Sequence, residues 1–352
     1  MYYVCYKFTV PQPTKADELS GMPVYAASAK NTDTLRQTSS GGVADVLARH
    51  LVNKGWICVG VEYNDQTDKA RHSIASSENE VKAFRGSKYI QSYTLDAFRE
   101  IVQKYLTKKV AVFGTPCQTY ALDLFLKRRG LRDNCLLIDM YCHGCPSMFV
   151  WDKYINRIRK QKNISEIHDL TFRSKAKGWG TFHVGINSSG QETDYISPRS
   201  NDDFFTLFFS DHVLNKACHD CLCRSTMKHT DIRLGDFWGK AYDLNREGVS
   251  IVTCVTDHGH TLFKELQAEF TVKQHIHADY LPYQSYGRNY SPNERLRRQM
   301  LENLADPSSQ LKETIRLFYK NQPISYHFKR HLKNLVLNLP PLLVNWAKRF
   351  YH

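Results

Sequence analysis

Unbroken apolar runs alternate with helical patterns over the first 150 residues. Val43, Val46, Leu47 and Leu51 recur on one face of a predicted helix that Gly55 stops. Residues 56–61 (WICVGV) then read as a buried strand, and helix segments are predicted over 81–84 and 98–106. Residues 109–113 (KVAVF) form a second continuous apolar strand, running straight into GTPCQ (114–118) and a helix through Lys127. Residues 135–140 (CLLIDM) form a third, followed at once by YCHGCPS. Strands apolar throughout, alternating with helices, predict a parallel sheet covered on both faces. The ligand crevice of such a sheet lies beyond the carboxyl ends of its strands. GTPCQ and CHGCPS both fall there.

From Trp151 the texture changes. A basic helix over 151–162 precedes alternating segments at 169–172 and 181–186, with Ser188, Ser189 and Gly190 as a hairpin turn. The predicted fold class is α/β plus α+β. A mostly parallel half spans 1–150, a mixed or antiparallel cysteine-bearing half spans 151–280, and a helical basic tail spans 281–352.

Composition narrows the class. The 352 residues are 42% apolar and 24% charged, as in a globular chain. No window approaches the ~18 uninterrupted apolar residues of a spanning helix. The longest greasy stretch, 335–346, is broken by Asn338, Pro340, Pro341 and Asn345. The opening MYYVCYKFTVPQP has no basic segment leading into an apolar one, so the expected location is cytoplasmic. The formal charge is +13, and from Leu281 onward twelve Lys and Arg face four Asp and Glu. Such a tail favours an acidic partner, nucleic acid or an anionic membrane surface. No helix-turn-helix, aromatic-basic sheet motif or C₂H₂ spacing is present, so no nucleic-acid partner is expected. The tail is then either an ordinary helical cap or a peripheral membrane contact.

Ten cysteines in a reducing compartment read as metal ligands, reactive thiols or small hydrophobes. Cys218 and Cys221 form a CxxC with Cys223 two further on, and a tight turn brings such thiolates to one centre. Cys117, Cys142 and Cys145 sit in loops leaving apolar strands, where they can complete a site. Spacing leaves iron–sulfur, zinc and neither all open. Cys5, Cys58, Cys135 and Cys254 have apolar or strand-like surroundings and read as core thiols. Ser39, Ser40, Gly41 and Gly42 precede a helix, which suits either a phosphate cradle or an N-cap. GTPCQ offers the same chemistry through Gly114 and Thr115, with the helix starting near Pro116. His143 reads first as hydrogen-bond support beside Cys142, and otherwise as an acid–base group or a packed imidazole. The tryptophans of KGWG (177–180) and GDFWG (235–239) read as core.

In order, SSGGV (39–43), SKYIQS (87–92), GTPCQ, CHGCPS with Trp151 and Tyr154 just after, FRSKAKGWG (172–180), CHDC (218–221) and DIRLGDFWG (231–239) form a recognisable series. From about Val24 to Gly239 the chain resembles the coenzyme F420 hydrogenase/dehydrogenase beta-subunit family. The resemblance implies an iron–sulfur flavoprotein oxidoreductase holding FAD and a 4Fe-4S cluster close together. It implies cluster ligands at Cys117, Cys142, Cys218 and Cys221, with Cys145 and Cys223 in reserve. It also implies FAD contacts from SSGGV and SKYIQS, with Lys88 toward a phosphate and Gln91 toward a polar ring or sugar edge. Gly114, Thr115 and Gln118 join that cofactor-binding set. Only Cys5 precedes SSGGV, where many relatives carry a ferredoxin module. The resemblance is therefore to stand-alone bacterial members linked to surface-polysaccharide pathways, with electrons supplied by a separate ferredoxin-like donor. The expected acceptor is a small or carbohydrate-linked molecule, and no catalytic acid or base is assigned beyond His143 as the best-placed candidate. Two other functions compete: an electron-relay subunit for a partner oxidoreductase, and a zinc-stabilised basic binding protein.

Overall fold

The computed structural model describes residues 10–105, 107–188, 195–197 and 202–337. Its apolar runs lie at the centre of one large sheet. In chain order the strands are β1 (Val24–Ala29), β2 (Ile57–Asn64), β3 (Lys69–Ala75), β4 (Ser92–Tyr93), β5 (Val110–Phe113), β6 (Cys135–Met140), β7 (Asp169–Thr171), β8 (Gly185–Asn187), β9 (Tyr195–Ile196), β10 (Ile232–Asp236), β11 (Ser250–Cys254) and β12 (Phe270–His275). Among the described residues nine of them form a sheet in the order β12-β1-β11-β10-β6-β5-β2-β3-β4, and β7-β8-β9 form a second. The parallel centre is β2, β5, β6 and β10. Antiparallel β11, β1 and β12 extend one side, and β3 pairs antiparallel with β2 on the other. The α/β class with a parallel portion and a mixed remainder is therefore what the chain adopts.

The continuous apolar runs are explained by burial on both faces. Ile57, Val59, Val110, Val112, Cys135 and Leu137 face the helices Leu95–Lys104 and Pro116–Arg128. Their neighbours Cys58, Ala111, Leu136 and Ile138 face the helix Val43–Asn53, where Val43, Val46, Leu47 and Leu51 are all buried. Cys58, Cys135 and Cys254 are core thiols, and burial pushes their pKa values up to about 12, about 11 and about 12. Cys5 lies outside the described residues.

Of the strands from the later part of the chain, β7, β8 and β9 form the second sheet, whereas β10, β11 and β12 join the first. Ile232 pairs with Ile138 and Leu234 with Met140, so β10 extends the parallel set beside β6. A buried ion pair crosses this junction: the Arg233 guanidinium donates to both Asp139 oxygens, at 2.8 and 2.6 Å. The predicted strand over 181–186 is shorter, beginning at Gly185, and Ser189 and Gly190 of the predicted turn lie outside the described residues.

Below the sheet, an aromatic cluster joins Trp151 and Tyr154 of the helix Met148–Lys162 to Phe172, Phe204, Phe205 and Phe208. Helices Glu294–Ala305 and Leu311–Lys320 close that cluster with Leu296, Met300, Leu304, Leu311, Ile315 and Phe318. This part of the basic tail is a helical cap. No helix among the described residues is long and apolar enough to cross a membrane.

Candidate redox site

β5 and β6 are parallel neighbours, so the loops beginning at Gly114 and Tyr141 leave the same edge of the sheet. Thr115 caps the helix Pro116–Arg128, its backbone N–H donating to Gln118 Oε1 at 2.9 Å. That cap places Cys117 in the first turn, its sulfur 3.2 Å from the Thr115 hydroxyl. The next loop is tied to the CxxC segment as a short antiparallel ladder. Asn215 N–H donates to the Cys145 carbonyl and Ser147 N–H to the Val213 carbonyl, both at 2.8 Å. Cys145 N–H also points at Cys218 Sγ, 3.4 Å away. Gly144 admits this packing, since a Cβ there would lie 2.9 Å from Leu214 Cδ1.

Cys142 is the hub. Burial holds its thiol well above the ordinary range, and the charges of Cys117, Cys218, Cys221 and Cys145 reach it and push the same way. Cys145 is raised to about 12, by burial and then by Cys218 and Cys117. Cys221 goes the other way. The Cys223 thiol donates to it, against the cost of burial, and with Arg224 nearby its pKa falls to about 6. Thiols that oppose one another's ionisation call for a shared positive centre. A single zinc ion gathers its sulfurs within about 4 Å of one another. Among the described residues no three His, Cys, Asp or Glu groups meet at single-ion spacing. An all-thiol set is soft enough for zinc and for an iron–sulfur cluster alike.

Arg224 fastens the loops together. Its Nε donates to the Cys142 carbonyl at 3.3 Å, and Nη2 donates to the carbonyls of His143 (2.9 Å) and Cys218 (2.6 Å). Nη1 reaches the Arg288 carbonyl, and the guanidinium sits 4.5 Å from the Tyr290 ring centroid. His143 is held on both sides. Nε2 donates to Asp211 at 2.9 Å, and Nδ1 faces the Tyr290 hydroxyl at 3.0 Å. Asp211 adopts φ +64° to make that bond, an uncommon conformation for a side-chain-bearing residue.

The predicted phosphate loops also meet. Ser87 N–H donates to Ser39 Oγ at 2.8 Å, joining SSGGV to SKYIQS. Gly41 is required by close packing, because a Cβ would lie 2.1 Å from the Ala27 carbonyl, and its N–H donates to Ser250 Oγ. Ser40 Oγ donates to the Val249 carbonyl, and Gly42 takes φ +81° to start the helix Val43–Asn53. Two ammonium groups flank this loop on neutral acceptors. Lys88 Nζ donates to the carbonyls of Ala83 and Arg85, and Lys175 Nζ to those of Leu35 and Ser40. Desolvation lowers Lys88 to about 7 and Lys175 to about 8. Both are suited to an arriving anion, which supplies the charge that the carbonyls lack.

Two contacts connect the phosphate loops to the cysteines. Gln118 Nε2 donates to Ser92 Oγ at 3.0 Å, and Asn215 Nδ2 reaches exposed Gln91 Oε1 at 3.5 Å. Of the residues predicted from sequence, Ser39, Ser40, Gly41, Gly42 and Lys88 thus gather at one end, and Gly114, Thr115 and Gln118 with the cysteines at the other. Gln91 bridges the two.

Two models of one family, "Coenzyme F420 hydrogenase/dehydrogenase, beta subunit", match this chain: its amino-terminal part over residues 24–99 and its carboxyl-terminal part over residues 107–276. The chain belongs to this beta-subunit family. It is 32% identical over 229 residues to the F subunit of the F(420)H(2) dehydrogenase of Methanosarcina mazei, covering 62% of this chain and 60% of that one. It is 29% identical over 126 residues to the beta subunit of the coenzyme F420 hydrogenase of Methanococcus voltae, covering 33% of this chain and 44% of the other. The chain thus spans less than two thirds of either curated relative. Its fold is shared with a chain of the F420-reducing [NiFe] hydrogenase complex from Methanosarcina barkeri (TM-score 0.53, 17% identity, 87% and 93% of the two chains covered). The named relatives are subunits of oxidoreductases.

The beta-subunit motifs hold further residues that sequence reasoning did not single out. Arg173, buried in FRSKAKGWG, donates to the Tyr89 hydroxyl (3.0 Å), to Asp236 (2.9 Å) and to the Trp179 carbonyl (3.1 Å). Its guanidinium lies 4.2 Å from the Phe182 ring centroid, and its Nε is buried without a hydrogen-bond partner among the described residues. Asp236 also accepts from Trp179 Nε1 at 2.8 Å, and Trp179 stacks on Trp238 at 4.7 Å and 11°. The two tryptophans expected in the core are therefore one buried and one half-exposed, forming a flat shelf. Tyr89 accepts from Arg173 and lies within electrostatic reach of Cys142. Four of these residues lie inside the motif series: Tyr89 in SKYIQS, Arg173 and Lys175 in FRSKAKGWG, and Asp236 in DIRLGDFWG. Arg224 follows Cys223 directly, a position that could have flagged it.

Proposed function

We propose that this chain is an iron–sulfur flavoprotein oxidoreductase that takes electrons from a separate ferredoxin-like carrier and delivers them to a two-electron acceptor. The observation that carries the reading is that hydrogen bonds and Arg224 tie the loop bearing Cys142 and Cys145 to the segment bearing Cys218 and Cys221, with Cys117 in the first turn of the helix after the neighbouring strand. Cys117, Cys142, Cys218 and Cys221 would hold a 4Fe-4S cluster, with Cys145 the substitute ligand. FAD would lie along SSGGV and SKYIQS, with Lys88 and Lys175 at its phosphates and the Tyr89–Arg173–Trp238 shelf toward its ring. When bound, the two groups supply one-electron and two-electron transfer respectively.

The protein's own residues orient and shield. Arg224 fixes the backbone of two proposed ligand segments, and Arg173 keeps a cation and the orphaned Nε beside the flat shelf. His143, with both nitrogens engaged, positions its loop; its imidazole is the best-placed proton carrier if Tyr290 moves. The acceptor we favour is a carbohydrate-linked or other small molecule of surface-polysaccharide metabolism, reduced in the cytoplasm, as the family resemblance suggests.

An absorption spectrum of anaerobically purified protein tests this, with iron, sulfide, zinc and released flavin quantified on the same sample. Flavin bands over a broad absorption near ~400 nm, with about four irons per chain, support the reading. A colourless protein that carries zinc after anaerobic reconstitution has failed would refute it.

A further inference from the structure

The three described helices after residue 293 do not treat their apolar residues alike. The first two, Glu294–Ala305 and Leu311–Lys320, bury theirs in the aromatic cluster. Among its described side chains the third, Ile324–Leu337, holds the body through Tyr326, His327 and Arg330. Tyr326 packs against the cluster, His327 Nε2 hydrogen-bonds with the Tyr319 carbonyl at 3.1 Å, and the Arg330 guanidinium lies 4.0 Å from the Tyr319 ring centroid. At about 100° per residue, Ile324, Phe328 and Leu335 fall within about 40° of one another and about 160–180° from Tyr326. They are 88%, 68% and 54% exposed. The helix therefore holds an apolar stripe away from the protein that carries it.

Charge indicates what covers the stripe. Residues 321–352 contain no Asp or Glu, and five Lys and Arg: Lys329, Arg330, Lys333, Lys348 and Arg349. A second copy of a chain with formal charge +13 would be repelled. An apolar stripe on a basic helix too short to span suits the boundary between headgroups and acyl chains.

We propose that the helix Ile324–Leu337 docks this chain on an anionic phospholipid surface, with Ile324, Phe328 and Leu335 entering the interface and the net positive charge of residues 321–352 drawing it to lipid phosphates. This goes beyond the redox reading and does not depend on it.

The test is co-sedimentation of the full chain with vesicles of phosphatidylcholine alone and of phosphatidylcholine with phosphatidylglycerol. Binding is expected to the anionic vesicles alone and to weaken with salt. The double variant I324D/F328D should bind them at least about tenfold more weakly, with unchanged melting temperature and absorption spectrum. As a second readout, F328W should gain fluorescence quenched by brominated anionic lipid beyond that of the wild type. Absent binding, equal binding to neutral vesicles, undiminished binding by the double variant, or an unquenched F328W would each overturn the proposal. So would a change in oligomeric state in the double variant, which would assign the stripe to a second copy.

Discussion

Arg224 donates to the carbonyl of Cys218, six residues before it, and at the same time to the carbonyl of Cys142, in the loop that leaves β6. One guanidinium thus sets the spacing of two thiol-bearing segments that no covalent bond connects. It is also nearly fully buried, so its removal leaves several carbonyls without a donor.

R224A is expected to lose about 3 kcal/mol of stability, and R224K nearly as much, since an ammonium cannot reproduce the planar fork. Urea unfolding measures this, and iron per chain in the same preparations should fall for both. Full iron with an unchanged unfolding midpoint would remove Arg224 from the site.

Serine replacement of Cys117, Cys142, Cys218 or Cys221 should each reduce cluster iron after anaerobic reconstitution. C223S should retain most of it, because Cys223 acts as a buried donor to Cys221. Iron that survives C142S but not C145S would transfer the fourth position to Cys145.

Lys175 and Lys88 lead to a pH-dependent affinity. Their ammonium groups ionise near 8 and 7, so they are increasingly neutral as pH rises through that range. A phosphate-bearing cofactor needs them protonated, so its binding should take up protons and weaken from about pH 7 to 9. K175M should bind flavin about tenfold more weakly with a shallower pH dependence, as read by flavin fluorescence on reconstitution. Equal affinity across that range would exclude both lysines from the phosphates.

Acid stability should carry the mark of His72. Its ring is buried edge-on against Phe98, and desolvation lowers its pKa to about 4. The unfolded chain takes up this proton below about 6.5, whereas the folded chain resists it until about 4. Stability should therefore fall as pH drops through that window, by up to roughly 3 kcal/mol from this group. Asp123, lowered to about 2, contributes its own loss only further down, below its ordinary carboxylate range. H72L should flatten the slope between pH 6.5 and 4 relative to wild type in parallel unfolding titrations; a parallel slope would show that His72 is not its source.

The legible parts of this molecule are those whose environment is simple. Val110–Phe113 and Cys135–Met140 are buried on both faces and read as unbroken apolar runs, and the helix Val43–Asn53 shows its stripe plainly. β1 is alanine-rich and gives little strand signal, while β3 alternates charged and buried residues at the flank of the sheet. β10 is visible as a motif but not as a strand, because Arg233 looks polar until Asp139 is known to face it. The same reason hides much of the site. Cysteines announce themselves by type and spacing, but Arg224, Arg173 and Lys175 act on carbonyls and rings contributed by remote segments. Nothing local in the sequence marks those partners.

The placement of β1 has a consequence for how the chain comes to be folded. It sits between β11 and β12, with Ala27 opposite Ser250 on one edge and Val24 opposite His275 on the other. The first described strand must therefore wait for the last two described strands before it has any neighbour. Sheets closed by such distant pairings form slowly, and their unpaired edges are exposed to other chains meanwhile. A ribosome-bound or truncated chain ending before residue 250 would carry both an orphaned β1 and an open β10 edge. Fragments cut between the two halves of the motif series are thus poor candidates for independent folding, and the full chain should depend on chaperones during synthesis.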